Sequence, residues 1–169
     1  MSDNVYLGNP NLKKANTPIE FTEENVIEFV KCKNDPVYFA RKYIKIVSLD
    51  EGLVPFNMYD FQEKLIDRFH KNRFNICKMP RQTGKSTTCI SYLLHYAVFN
   101  DNVNIAVLAN KASTARDLLG RLQLAYENLP SWMQQGIISW NKGSLELENG
   151  SKISANSTSS SAVRGGSYN

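Results

Sequence analysis

The sequence has little of what a metal centre or a disulfide framework requires. Among its 169 residues are three cysteines, Cys32, Cys77 and Cys89, and two histidines, His70 and His95. The cysteine count is odd, and no two cysteines form a CxxC pair. Neither a disulfide scaffold nor a zinc site is therefore expected, and free thiols are typical of a reducing cytoplasm.

Long apolar runs are also missing. The first residues, MSDNVYLGNPNLKK, contain no apolar stretch of the kind that a signal peptide requires. No run approaches the about 20 apolar residues that a helix needs to cross a bilayer. The sequence therefore predicts a protein that is neither secreted nor associated with a membrane.

Charge of one sign is not concentrated anywhere in the chain. The net charge is +4, which suits a polyanionic partner but does not require one. The nearest approach to a basic cluster is Arg41, Lys42 and Lys45, for which a solvated helix face is the simpler interpretation.

The pattern of polar and apolar residues divides the chain into three parts. Residues 1–20 are polar and include two prolines, so we predict a flexible N-terminal arm. Residues 21–55 show helical periodicity, which begins after the N-cap candidate Thr22 and restarts at Asp35 and Pro36. We therefore predict a helical N-terminal segment, followed over residues 56–169 by one α/β domain.

The order of apolar segments in residues 56–169 indicates a parallel sheet with helices on its faces. Residues 74–79 read as a buried strand, residues 87–99 as a helix, and residues 104–109 as a second buried strand. A helix then runs from about Ser113 until Pro130 ends it. Alternating strands and helices are typical of parallel α/β folds.

The C-terminal part has a different pattern. Residues 137–140, 144–147 and 151–155 are short strand candidates. The Asn149-Gly150 pair between the last two predicts a hairpin with a type I′ turn.

One motif carries chemistry. Residues 79–86 read Met-Pro-Arg-Gln-Thr-Gly-Lys-Ser, a variant of the phosphate-binding pattern GxxxxGK[ST] with Met79 at the first glycine. The unpaired N–H groups at a helix start attract phosphate, and Gly84 lets the backbone approach it closely. The candidate ATP-binding residues of this loop are Pro80, Arg81, Gln82, Thr83, Gly84, Lys85, Ser86 and Thr87.

The chemistry of these side chains suggests individual roles. Lys85 is predicted to reach the β- and γ-phosphates, Ser86 to ligate Mg²⁺ bound with ATP, and Thr87 to contact the α-phosphate. Upstream, the carboxamide of Gln62 matches the donor and acceptor edge of adenine. Tyr59 and Phe61 either stack on the base or, as we expect, pack in the core.

These residues resemble a known family. The string from Met79 to Thr87 is similar to the deviant Walker A motif of terminase large subunits from T4-like tailed bacteriophages. Those proteins also lack the first glycine and carry an Arg-Gln pair before x-Gly-Lys. The similarity continues at residues 59–62, 109–111, 129–130, 136–137, 140–144, 148–151 and 162–165. It extends from about residue 35 to Asn169.

The resemblance implies a P-loop NTPase fold of the recA-like, additional-strand type. It implies an ATPase that uses ATP and Mg²⁺ to move double-stranded DNA into a procapsid. The implied partners are DNA, a portal protein, a small terminase subunit and, for the full-length protein, further copies in a homo-oligomeric ring. The implied location is the host cytoplasm, with transient docking on the procapsid.

The resemblance also implies catalytic and base-binding residues. By motif position, Gln62 is similar to an adenine-reading glutamine, and Asn57 is a weaker second candidate. Arg81 looks like a loop arginine that acts in cis on the γ-phosphate. Arg164 corresponds either to an arginine offered to a neighbouring subunit or to a simple phosphate or surface contact. With Lys85, these two arginines are the candidate catalytic residues.

The family's Walker B strand, which ends in Asp-Glu, and its nuclease domain have no counterpart in these residues. We therefore expect an α/β fold that is incomplete at its C-terminus, with weak nucleotide binding and negligible hydrolysis by the chain alone. Two other functions stay open. One is a helicase-like DNA translocase ATPase, and the other is a non-enzymatic remnant that binds DNA or motor partners.

Overall fold

The computed structural model describes residues 4–48, 50–158 and 168, and it shows an α/β protein. Its N-terminal elements are β1 (Val5–Tyr6), β2 (Asn9–Lys13), α1 (Glu23–Asn34), α2 (Pro36–Tyr43), β3 (Lys45–Ser48), β4 (Gly52–Pro55) and α3 (Asp60–Lys71). They are followed by α4 (Lys85–Phe99), β5 (Asn104–Ala109), α5 (Ala112–Glu127), β6 (Ile137–Trp140), β7 (Ser144–Leu147) and β8 (Lys152–Ser157). In the part of the chain described, no helix combines the length and apolar character needed to span a membrane.

The first two helices begin where their capping residues predict. The Thr22 hydroxyl accepts a hydrogen bond from the Asn25 N–H, and α1 starts directly after Thr22, at Glu23. The Asp35 carboxylate accepts one from the Tyr38 N–H at 2.8 Å, and Pro36 occupies the first position of α2. Both contacts satisfy N–H groups that have no partner within the helix.

The main sheet is mixed, which corrects the prediction of a parallel sheet. Its strand order is β5-β8-β7-β6, and only β5 and β8 run parallel, with Asn104 opposite Lys152. The β6–β7 and β7–β8 pairs are antiparallel. The reason is the short connections between the last three strands, since a parallel pair requires a long crossover. The strand β5 and the three C-terminal strands lie where the sequence predicts them.

The predicted buried strand at residues 74–79 is wrong. This segment forms no strand within the described residues, and its apolar side chains face solvent. Phe74 is 83% exposed and Ile76 fully exposed. An apolar run becomes a strand only when a neighbouring strand pairs with it, and no described strand does so.

The N-terminal region contains two hairpins in place of an arm and a purely helical segment. The strands β1 and β2 pair with each other, and Leu12 and Lys13 are buried although a flexible arm was predicted there. The strands β3 and β4 pair in full register, from Lys45 opposite Pro55 to Ser48 opposite Gly52. Gly52 has a φ of 73°, which favours glycine at the end of this turn.

The hydrophobic core positions the start of α4 beside α3. One layer is α5, which contacts β5 and β8 and has Leu119, Leu122 and Tyr126 among its buried residues. The helix α4 packs on α5 and also contacts α2 and α3. Its Leu94 is fully buried, as is Ile66 of α3. The N-terminal ends of α3 and α4 meet at residues 79–84, which we call the phosphate loop.

Candidate functional site

The backbone of the phosphate loop alternates in handedness. Gln82 has a φ of 62° and Gly84 a φ of 73°, so both lie in the left-handed region, and Gly84 is the N-cap of α4. Left-handed residues between right-handed ones turn successive N–H groups toward one concave side, which attracts anions. A left-handed non-glycine residue such as Gln82 is strained, and such strain is concentrated at functional sites.

The first turn of α4 has unpaired N–H groups at the mouth of the loop. The first helical bond runs from the Thr88 N–H to the Gly84 carbonyl at 2.9 Å, and the Thr88 hydroxyl donates to the same oxygen at 3.0 Å. The N–H groups of Lys85, Ser86 and Thr87 precede that bond and have no acceptor within the helix. They add to the positive end of the helix dipole.

The ammonium group of Lys85 lies across the loop. Its Nζ donates to the carbonyl of Met79 at 3.2 Å and to the carbonyl of Pro80. The hydroxyl of Thr83 also donates to the Pro80 carbonyl, at 3.1 Å. Side chains of the loop therefore hold its carbonyl oxygens, and a positive charge stands next to its unpaired N–H groups.

Gln62 connects the phosphate loop to the start of α3. Its side-chain oxygen accepts a hydrogen bond from the Tyr59 N–H at 2.9 Å, and its Nε2 donates to the Thr83 carbonyl at 3.1 Å. The residue is only 4% exposed. A Cβ built on Gly84 would overlap this Nε2, so both the space and the φ at that position require glycine.

Two aromatic residues beside Gln62 are exposed, so the expectation that they pack in the core is wrong. The rings of Tyr59 and Phe61 stack with centroids 5.6 Å apart and planes 9° from parallel. Tyr59 is 69% exposed and Phe61 42% exposed. Both precede Gln62, which is buried while Tyr59, Asp60 and Phe61 are exposed, because successive helical residues point in different directions.

The remaining predicted residues are less tightly placed. Arg81, Gln82 and Ser86 are exposed on the loop and the first turn of α4. Asn57 is exposed, and its backbone N–H donates to the Pro55 carbonyl, but no described hydrogen bond joins its side chain to the loop. Arg164 lies outside the described residues.

Thr87 lies beside a cavity that the sequence did not predict. It lines a cavity of about 410 Å³ together with Lys45 of β3 and Arg121 of α5. The larger cavity, about 680 Å³, lies away from the loop and is lined by Phe69, Tyr92 and neighbouring residues. No local signal predicts that Lys45 and Arg121 approach Thr87, because three separate elements form this cavity.

The site fits an anion better than a metal ion alone. Within the described residues, no group of three or more histidine, cysteine, aspartate or glutamate side chains could hold a metal. The phosphate loop and the first turn of α4 offer N–H groups, the Lys85 ammonium and the Ser86 hydroxyl. Such a donor set suits phosphate oxygens, with any divalent cation carried by the phosphates themselves.

A comparison with known protein families decides the assignment. A family model described as terminase large subunit, T4likevirus-type, N-terminal, matches residues 76–169, which is more than half of the chain. The chain belongs to this family. The matched range begins just before the phosphate loop and includes α4, α5 and the main sheet. The resemblance seen in the sequence is thereby confirmed.

Terminase family membership gives the chain a role related to phage DNA packaging. Large terminase subunits are in general ATPases, and the donors at the phosphate loop are of a kind that suits phosphate oxygens. Gln62 and α3 precede the matched residues. Any role for Gln62 therefore rests on its contacts in the structure.

Proposed function

We propose that the chain binds the triphosphate of Mg-ATP in the phosphate loop and is the nucleotide-binding part of a viral DNA-packaging motor. The observation that carries this proposal is the combination at the start of α4. Unpaired N–H groups of the first turn, a left-handed Gly84 and the Lys85 ammonium lie within one turn of backbone.

On nucleotide binding, Lys85 would exchange the carbonyls of Met79 and Pro80 for oxygens of the β- and γ-phosphates. This exchange needs only a side-chain movement, because the ammonium is already at the loop. The exposed Ser86 would ligate the Mg²⁺ that arrives with ATP, and Thr87 would contact the α-phosphate. Magnesium supplies charge neutralisation of the phosphates in this arrangement.

The exposed aromatic pair supports a place for the base. Tyr59 presents most of its surface to solvent next to the loop, and an aromatic face is suited to stacking on a purine. Asn57, two residues earlier, is exposed and stays a second candidate for a polar contact to adenine.

At the level of the motor, the proposal follows the family. Arg81 is exposed in the loop and would act on the γ-phosphate, while Arg164 would serve a neighbouring subunit or contact phosphate. The proposed partners are double-stranded DNA, a portal protein, a small terminase subunit and further copies in a ring. The proposed setting is the host cytoplasm, with docking on the procapsid.

Isothermal titration of the 169-residue chain with Mg-ATP tests the nucleotide proposal. Lys85→Ala removes the ammonium that faces the phosphates, and we expect at least a tenfold weaker affinity, since a charged hydrogen bond contributes about 1.5–3 kcal/mol. The matched control is Lys71→Ala, whose ammonium pairs on the surface with Asp67 at 2.8 Å. Equal ATP affinity in the Lys85→Ala and Lys71→Ala variants would overturn the proposal.

A further inference from the structure

Gln62 makes contacts that suit the orientation of the phosphate loop better than the reading of a base. We propose that Gln62 is a positioning residue, which fixes the Thr83–Gly84 peptide so that the Gly84 N–H faces the bound phosphates. This inference rests on the proposed function of the loop, and it assigns Gln62 a role different from the adenine contact that sequence position suggests.

The first step is that both polar atoms of the Gln62 side chain are engaged. The side-chain oxygen accepts from the Tyr59 N–H at the N-cap of α3, and Nε2 donates to the Thr83 carbonyl. With 4% exposure, the carboxamide is nearly closed to solvent. Reading adenine would require a donor and an acceptor that face a ligand, and this side chain uses one of each inside the protein.

The second step is the geometry of the peptide unit. The structure has no cis peptide bonds among its described residues. In a planar trans peptide, the carbonyl of one residue and the N–H of the next point in opposite directions. A hydrogen bond that holds the Thr83 carbonyl toward Gln62 therefore directs the Gly84 N–H away from Gln62. Gly84 is the N-cap of α4, so this N–H joins the unpaired groups of the first helical turn.

The third step is the close fit between Gln62 and Gly84. The Nε2 of Gln62 occupies the space that a Cβ at Gly84 would need. The left-handed φ of Gly84 is thus held by a buried side chain that comes from another helix, 21 residues from Thr83 along the chain. Gln62 thus joins the start of α3 to the phosphate loop. Its side-chain oxygen is held by the Tyr59 N–H, and its side-chain nitrogen holds the Thr83 carbonyl.

The test uses inorganic tripolyphosphate with Mg²⁺, which has no base to be read. Gln62→Met keeps the length of the side chain and removes both hydrogen bonds. We expect the affinities for tripolyphosphate, ATP and GTP to fall by one common factor of about five to ten, the worth of about one hydrogen bond. The matched control is Gln123→Met, which removes a similar bond to the Asn141 carbonyl away from the loop and should leave all three affinities unchanged.

A measurement without any ligand separates this inference from the proposed function. The amide signal of Gly84 in a ¹H–¹⁵N spectrum should shift in Gln62→Met but not in Gln123→Met, because the Thr83–Gly84 peptide is no longer held in one orientation. If wild-type chain fails to bind tripolyphosphate, the nucleotide proposal is wrong, and the Gly84 signal alone decides the role of Gln62.

Two results would overturn the positioning role. One is an unchanged Gly84 signal in Gln62→Met. The other is a loss of ATP affinity to the level of GTP with tripolyphosphate affinity intact, which identifies a base-reading residue. If Gln62→Met does not fold, Gln62→Glu replaces it, because Glu keeps an acceptor for the Tyr59 N–H and loses the donor to Thr83. Since its carboxylate also repels phosphate, only the Gly84 signal without ligand is compared in that variant.

Discussion

At the scale of single residues, His95 of α4 is the buried titratable group with the clearest consequence. It is 2% exposed, and its Nε2 lies 2.9 Å from the Cys32 carbonyl, while no described partner contacts Nδ1. The ring contacts those of Phe39 and Phe99, and the centroid of the His70 ring lies 6.2 Å from that of His95. Burial, with a smaller contribution from His70, lowers the pKa of His95 to about 4.

This pKa predicts a pH-dependent stability. Between pH 6.5 and 4 the unfolded chain binds a proton at His95 and the folded chain does not, so the free energy of unfolding falls as the pH falls. The expected slope approaches about 1.4 kcal/mol per pH unit. Urea unfolding at several values between pH 5 and 7.5 measures it. His95→Gln should flatten the slope, whereas His70→Gln, at an exposed position, should preserve it.

The two described carboxylates with shifted pKa values, Glu28 and Glu148, act mainly below this pH window. Burial raises the pKa of Glu28 and of Glu148, but their hydrogen bonds lower it further, and both pKa values end below the usual 4.5. Stability from these carboxylates is present above pH 4.5 and is lost below it. A slope that stays unchanged in His95→Gln between pH 5 and 6.5 would therefore contradict the assignment to His95.

At the scale of elements, the C-terminal end of α4 is held by the β7–β8 turn. The side chain of Asn149 donates to the carbonyls of Ala97 and Asn100 at 2.9 and 3.0 Å. The Ser151 hydroxyl also donates to the Asn100 carbonyl, at 2.8 Å. These bonds satisfy helix-end carbonyls that have no partner within the helix. The turn thus fixes one end of the helix whose other end begins at the phosphate loop.

We predict that Asn149→Ala destabilises the chain by about 1–3 kcal/mol, because the Ala97 carbonyl loses its side-chain donor and the Asn100 carbonyl keeps only the Ser151 hydroxyl. Thermal or urea unfolding measures the change. The control is Asn128→Ala, which removes a bond from the C-cap of α5 to the Leu124 carbonyl of that helix. It should lower the free energy of unfolding by less. Equal losses of unfolding free energy in the two variants would show that the bonds from Asn149 to α4 stabilise the chain no more than a bond within one helix end.

The same turn shows what the sequence could and could not predict. Asn149-Gly150 predicts the hairpin correctly but not its type, since only Gly150 has a positive φ, at 78°. A type I′ turn needs positive φ at both residues. In the structure the side chain of Asn149 caps α4, and a neighbour 49 residues away in sequence is not visible in a local pattern.

Elements with local signals were predictable, and elements that depend on distant partners were not. Capping by Thr22 and Asp35 fixes helix starts within a few residues, so the sequence contains that information. The pairing of β1 with β2, and the failure of residues 74–79 to pair, depend on which strands are available. For the site, the motif locates the loop at the start of α4, but the contact of Gln62 with Thr83 joins two elements and needed the structure.

At the scale of the whole molecule, the N-terminal hairpin is attached to residues more than a hundred positions later. Glu148 accepts hydrogen bonds from the Lys13 ammonium at 3.0 Å and the Asn16 N–H at 2.9 Å. Gln134 accepts from the Lys13 N–H at 3.1 Å. The side chain of Lys13 is 8% exposed, so its charge depends on this one carboxylate within the described residues.

We predict that Glu148→Gln loosens this attachment, because it leaves a buried ammonium without its counter-charge. The free energy of unfolding should fall by about 2–4 kcal/mol. This is less than the loss for a fully buried ion pair, because the Glu148 side chain is 26% exposed. Hydrogen exchange of residues 5–13 should accelerate as well. Asp67→Asn, which breaks the exposed pair with Lys71, should cost less than about 1 kcal/mol. Unchanged exchange in Glu148→Gln would rule out this attachment.

The exposed segment at residues 74–79 has a practical consequence for handling the chain. Phe74 and Ile76 expose apolar side chains in a segment that belongs to no described helix or strand, so a second polypeptide can contact them. The chain should therefore have a low solubility limit, and the turbidity of its solutions should increase with time and with protein concentration. Replacing Ile76 with lysine is the simplest way to raise this solubility limit, because it removes a fully exposed apolar side chain and adds a charge that repels another copy.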